Sequence, residues 1–168
     1  YFGSGEPGDV MSYDPKTGIV QILGKLSDKA TQYALIGDDS AIYFGSCCLG
    51  KVDRYDPATG VLESFGRMDD AGSTYQYAYT LGADNRYVYV GLGQSPWYLG
   101  IYDKQTGQKT LYWKEDNDTG GNVLQGVSGG WYYDRTNSAQ PWYRKYYKLE
   151  NGTPIEISKS ELPPTISY

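Results

Sequence analysis

Three groups of residues in this chain could do chemistry. Cys47 and Cys48 stand side by side in Gly-Ser-Cys-Cys-Leu-Gly, and there is no other cysteine. Pro96-Trp97-Tyr98 and Pro141-Trp142-Tyr143 offer flat aromatic surfaces, and Arg135, Arg144 and Lys145 crowd the second. Asp116 and Asp118 lie in Lys-Glu-Asp-Asn-Asp-Thr-Gly-Gly-Asn, residues 114–122, where oxygen ligands suit a hard cation such as Ca2+. An indole stacks on the C–H face of a sugar ring, and arginine grips a carboxylate through two parallel hydrogen bonds. Together these residues point to a neutral or acidic oligosaccharide. The competing reading packs both tryptophans between strands and leaves the cations solvated. The acidic segment lacks the distal bidentate glutamate of a calcium loop and reads equally as a solvated turn.

The cysteines pose a geometric question. Adjacent Cα atoms across a trans peptide lie about 3.8 Å apart, below the roughly 4.4 Å floor of ordinary disulfides. A bond between them would distort the peptide, with Gly45 and Gly50 leaving room. The alternatives are a strained vicinal disulfide in an oxidising compartment and two packed thiols in a reducing one.

Composition removes several functions. The chain contains no histidine, which excludes His-dependent serine or cysteine triads and His-ligated zinc within it. A net charge of −5 and a pI near 4.7 disfavour nucleic acid. No apolar run reaches the roughly 18 residues of a membrane helix, so no membrane span is expected. The chain opens on Tyr1-Phe2-Gly3, with no initiator Met and no signal-peptide pattern, and reads as a processed product or an excised piece. Asn117-Asp118-Thr119 and Asn151-Gly152-Thr153 are formal glycosylation sequons.

The elements that must position these residues come from a repeat. Tyr-Asp-Pro-Lys-Thr-Gly starts at Tyr13, Tyr-Asp-Pro-Ala-Thr-Gly at Tyr55, Tyr-Asp-Lys-Gln-Thr-Gly at Tyr102, and a degenerate Tyr-Lys-Leu-Glu-Asn-Gly at Tyr147, at intervals of 42, 47 and 45 residues. An aromatic strand precedes each copy and a short β-run follows it. Nineteen tyrosines, twenty-two glycines and no helical periodicity predict an all-β chain. Four antiparallel strands, A to D, per repeat make a β-propeller of about four blades, roughly 1–32, 33–76, 77–121 and 122–168, forming one domain or fragment over 1–168. Blade one starts at its strand B. The tail Leu-Pro-Pro-Thr-Ile-Ser-Tyr could supply the missing strand A and close a four-bladed ring; otherwise the chain is cut from a ring of six to eight blades, with further blades or domains in the intact protein. The C-to-D turns are monotonous, whereas the four B-to-C loops all differ. They hold Cys47, Cys48, Trp97, Tyr98, Trp142, Tyr143, Arg135, Arg144 and Lys145, and are where ligand contact is expected.

The repeat resembles the Tyr-Asp-Pro-x-Thr-Gly blades of YVTN-type, quinoprotein-like and SMP-30-like propellers. That resemblance implies an exported, periplasmic or cell-surface setting and a ligand at the channel mouth. It also implies that Cys47 and Cys48 form a rigid vicinal disulfide beside that ligand, as in some quinoprotein propellers. Three functions are compatible with it. The first is a carbohydrate-binding module. The second is a polysaccharide lyase acting on a uronate-containing polymer by β-elimination, with Arg135 or Arg144 neutralising the carboxylate and Tyr133 or Tyr143 moving protons. The third is a quinoprotein-like redox enzyme, for which the tryptophan docking pattern of the cofactor is not evident. No cofactor is implied with force, Ca2+ at Asp116 and Asp118 being the one candidate.

Overall fold

The computed structural model describes residues 1–168 except 72–74, 95, 138, 167 and 168, together with the side chains of Gln32 and Pro141. Ser95, at the head of the first Pro-Trp-Tyr segment, and the last two residues of the tail therefore lie outside the described residues. Among the described residues the chain is all-β, in four antiparallel sheets. Sheet one holds β1 (Phe2–Gly3), β2 (Asp9–Asp14) and β3 (Ile19–Lys25). Sheet two holds β4 (Ala30–Ile36), β5 (Ile42–Cys47), β6 (Lys51–Asp56) and β7 (Val61–Arg67). Sheet three holds β8 (Tyr77–Ala83), β9 (Tyr87–Gly93), β10 (Tyr98–Asp103) and β11 (Lys109–Tyr112). Sheet four holds β12 (Gly120–Gly126), β13 (Trp131–Asn137), β14 (Gln140–Glu150) and β15 (Thr153–Ile157), with β16 (Thr165–Ile166) added beside β12. This is the blade architecture of a β-propeller. β4 opens at Ala30 and β12 at Gly120, slightly ahead of the repeat boundaries at 33 and 122.

The sheets stack face to face, and three cores lie between them. Val10 and Leu26 of sheet one meet Ile42, Phe44 and Tyr55 of sheet two. Tyr43 and Val52 meet Ala78, Leu81, Val88 and Val90 of sheet three. Tyr89, Leu99 and Ile101 meet Val123, Trp131, Tyr133 and Tyr147 of sheet four. Successive side chains of a strand point to opposite faces, so β5 sends Ile42 and Phe44 one way and Tyr43 the other. Every residue of β5 is buried as a result.

The repeated turns behave as turn chemistry. Asp14 accepts from the Lys16 amide (2.9 Å) and the Thr17 hydroxyl (2.9 Å), and Asp56 and Asp103 accept from the Ala58 and Gln105 amides. Gly18, Gly60 and Gly107 supply φ of 73°, 71° and 73°. The fourth turn differs. Glu150 pairs directly with Thr153 around Asn151 (φ 51°) and Gly152 (φ 70°), a two-residue hairpin. The register shows the consequence: Trp131 faces Leu149 where Val88 faces Tyr102 and Ile42 faces Tyr55. Leu149, not Tyr147, therefore takes the place of the repeat tyrosine.

The tail does not complete sheet one. Thr165 and Ile166 pair with Gly126 and Gln125 of β12, and the Val127 amide donates to the Pro164 carbonyl (2.8 Å). Gly126 leaves the space that Pro163 fills. Sheet one stays three-stranded among the described residues.

On the C-to-D side, buried tyrosines are tethered to aspartates of the A-to-B turns: Tyr43 donates to Asp39 (2.7 Å) and Tyr89 to Asp84 (2.7 Å). Burial, then the facing carboxylate, pushes both phenols well above their ordinary range. Burial works to raise the Asp39 pKa, but bonds from Tyr43 and Lys104 outweigh it and hold the carboxyl low. Asp103, bonded by Arg86 (2.8 Å), is lowered to about 2.

Two outcomes are expected. Gly45→Ala would put a methyl 2.7 Å from the Ala78 carbonyl of sheet three, so it should cost about 1–3 kcal/mol in urea unfolding through overpacking. Because Asp39 and Asp103 have folded-state pKa values below their unfolded ones, the stability they add is complete above about pH 4. It is lost as pH falls toward 2, so urea midpoints measured from pH 5 to pH 2 should drop over that window. Asp103→Asn should flatten the lower end of the curve.

Candidate binding groove and mouth

The inner strands enclose a groove of about 270 Å3, reached from β4, β8 and β12 and touched by Ile166 of β16. Leu35, Leu81, Val123 and Trp131 give it an apolar wall, while Tyr33, Thr80, Asn122, Gln125 and Arg144 bring polar groups. Asp134, 1% exposed, anchors the polar end. It accepts from the Asn122 amide and side chain (both 3.0 Å) and from the Arg144 guanidinium (2.5 Å). The bond to Asp134 raises the Arg144 pKa against a smaller opposing effect of burial. The Arg144 side chain remains more than half exposed, so donors are left over for a ligand.

Arg135 is placed differently. Its Nε–H donates to Asp118 (2.6 Å) and its terminal nitrogen to Asp116 (2.5 Å). The guanidinium lies 4.4 Å from the centre of the Trp113 ring and 5.8 Å from that of Tyr143. Burial works against its charge, but the two carboxylates dominate and its pKa moves up. Arg135 and Asp118 are each 3% exposed, so this is a buried ion pair between sheets three and four and not a free clamp for a uronate. The same contacts occupy the oxygens proposed for Ca2+, and no group of metal-ligating side chains forms among the described residues. Tyr133 is buried beside this pair. Its phenol is pushed upward by burial and by the Asp118 and Asp134 charges, opposite to what a general base requires.

The two tryptophans do not form a pair. Trp97 stacks on Tyr79 (4.6 Å, 17°), which stacks on Tyr77 (5.1 Å, 21°), and its ring lies against Gly93. Its amide donates to the Asp118 carbonyl (3.0 Å). Trp142 is 83% exposed and stacks on no ring among the described residues. The register explains the difference. With Val88 and Trp131 in equivalent places, Trp97 corresponds to Arg144, and Trp142 falls in the irregularity where Asn137 pairs with Gln140. Tyr98 is buried, donating to Asp69 (2.7 Å) and accepting from Gln76. Lys145 pairs with Glu156 (3.1 Å) on the outer strand, away from the groove.

Cys47, the last residue of β5, and Cys48 after it bring their sulfurs 2.6 Å apart, with Cys47 buried and Cys48 half-buried.

Sequence reading missed a device that recurs at each crossover between sheets. Asp28 accepts from the Ser46 hydroxyl and the Leu49 amide (both 3.0 Å), Asp69 from Tyr98 and Lys114, and Asp118 from Arg135. Each aspartate follows an outer strand and ties it to the next sheet. The signal was present as Ser-Asp at 27–28, Met-Asp-Asp at 68–70 and Asp-Asn-Asp at 116–118. Irregular spacing hid it. Arg135→Met should cost about 3–5 kcal/mol in chemical unfolding, because Asp118 would remain buried and unpaired. Trp142→Ala should change the unfolding midpoint within about 0.5 kcal/mol.

No protein-family model matches the chain, and no curated protein matches it. Solved structures do. The extracellular domain of the putative hybrid two-component system BT4673 from B. thetaiotaomicron superposes with a TM-score of 0.60 at 16% identity, over 89% of this chain and 19% of that one. TolB from Acinetobacter baumannii superposes with a TM-score of 0.57 at 13% identity, over 95% of this chain and 39% of its own. The chain thus spans about a fifth and two fifths of these proteins, and what it shares with them is the fold.

Proposed function

We propose that this chain is a ligand-binding β-propeller module of an exported or cell-surface protein, and that its ligand is an oligosaccharide held in the inner-strand groove. The groove carries the reading: about 270 Å3 in which Thr80, Asn122, Gln125 and a half-exposed Arg144 face Leu35, Leu81 and Trp131. A saccharide has both requirements, hydroxyls that exchange hydrogen bonds with amides and C–H faces that sit on apolar walls. Arg144 has donors to spare for a uronate carboxylate, and Trp142, two residues before it on β14 and 83% exposed, would extend the site beyond the groove's own lining. One propeller domain over 1–168 is enough to build it. Elimination chemistry would fall to Arg144 and Tyr143 alone, since Arg135 and Tyr133 are buried in the ion-pair layer. Binding needs no proton transfer.

Tryptophan-emission titrations with neutral and uronate-containing oligosaccharides test this. A saturable change is expected, weakened in Trp142→Ala. In Arg144→Gln, affinity for uronate ligands should fall about tenfold, the worth of one charge-assisted hydrogen bond at roughly 1.5 kcal/mol, while neutral ligands are less affected. No response to any saccharide, or a response untouched in both variants, would overturn the reading.

A further inference from the structure

We propose that the inner edge of sheet one receives an extended segment of a partner polypeptide, which adds as a further strand beside β1. This surface lies on the other side of β4 from the inner-strand groove, and the reading of that groove does not bear on it. In sheets two, three and four a seven-residue strand, β4, β8 or β12, lies inside the strand that matches β1. Sheet one has no such strand among the described residues.

Burial marks the place. Ala34 and Ile36 pair with Phe44 and Ile42, and so share the face that those residues turn to sheet one. Their counterparts in sheet three are Leu81 and Ala83, which pair with Val90 and Val88. The two sets differ sharply in exposure. Leu81 and Ala83 are 1% and 0% exposed, because β4 lies over β8 and packs Tyr33 and Leu35 against their cluster. Ile36 is 64% exposed, and Ala34 is exposed as well. Where a covering strand would lie there is a cavity of about 250 Å3, lined by Tyr1, Ala34, Leu35, Ile36 and Ile42.

The lining selects the chemistry of the occupant. No charged side chain borders the cavity among the described residues, so a charge brought into it would lose its hydration without a partner. Beside the cavity runs the open backbone edge of Phe2 and Gly3, which suits peptide groups. Sheet two shows how a strand meets such an edge. Tyr43, Phe44 and Gly45 match Tyr1, Phe2 and Gly3 in sequence, and they pair antiparallel with Leu35, Ala34 and Tyr33. The docked segment therefore runs antiparallel to β1. It turns two large apolar side chains, two residues apart like Tyr33 and Leu35, onto Ala34 and Ile36. Backbone pairing supplies the affinity, and the cavity chooses the side chains.

The test titrates the whole chain into a fluorophore-labelled peptide copying Ala30–Ile36, acetylated and amidated at its ends, and reads anisotropy. Saturable binding is expected. A copy with proline at the Tyr33 and Ala34 positions loses a backbone donor on either edge and should bind at least about tenfold more weakly. In the chain, Ile36→Lys should weaken binding by about the same factor, while its urea midpoint stays unchanged because Ile36 is already exposed. Three results would overturn the proposal. They are the absence of saturable binding, binding indifferent to the prolines or to Ile36→Lys, and a dimer of the chain that Ile36→Lys dissociates. The last would assign the edge to a second copy.

Discussion

A propeller sheet in the middle of the stack must bury both of its faces, and the other features of this chain follow from that requirement. It explains why β5 and β9 carry apolar or aromatic residues almost without interruption instead of alternating with polar ones. It also forces the choice of tyrosine. A tyrosine body fills an inter-sheet layer, and its hydroxyl must find a partner once buried. Asp39 and Asp84 meet that need at one end of the layers, and Asp69 does so for Tyr98 at the other.

The same requirement disposes of charge. Two cations near the mouth are neutralised by the crossover carboxylates that tie one sheet to the next. Arg135 serves the joint between sheets three and four, and Lys114 serves the joint between sheets two and three. Arg144 and Lys145 differ in that their carboxylate partners, Asp134 and Glu156, come from their own sheet, and of the two only Arg144 reaches the groove. A residue that does not join two sheets is freer to face a ligand. The groove and the ion-pair layer thus divide the arginines between recognition and structure.

The fold was readable in the sequence because turns are local. Asp-x-x-Thr-Gly closes its loop through hydrogen bonds within five residues, so its recurrence marks the blades whatever surrounds it. The mouth was less readable, because its chemistry depends on which sheet a side chain faces. Trp97 and Trp142 sit in the same tripeptide, yet one is stacked between Tyr79 and Gly93 while the other is bare. Two residues of register separate them, set by the Asn151-Gly152 turn at the far end of the sheet. Likewise, Asp116 and Asp118 resembled a cation site because the cation they hold, Arg135, is remote in sequence. The tail's pairing was left open for a similar reason: a two-residue strand carries almost no pattern, and only the structure shows that Thr165 and Ile166 join β12.

That short hairpin has a counterpart at the opposite end of β14. β14 runs for 11 residues where β6 and β10 run for 6, and the surplus lies at the end away from the turn. Thr136 pairs with Arg144 while the next residue, Asn137, pairs with Gln140, so residues 141–143 are looped out of the ladder instead of lengthening it. The fourth blade therefore carries a bulge at this end, with the 83% exposed Trp142 on it. Among the described residues β15 pairs with β14 only from Tyr146 onward, so residues 140–145 are a bare edge, and the bulge breaks the flat row of backbone groups that a foreign strand would need for edge-to-edge pairing.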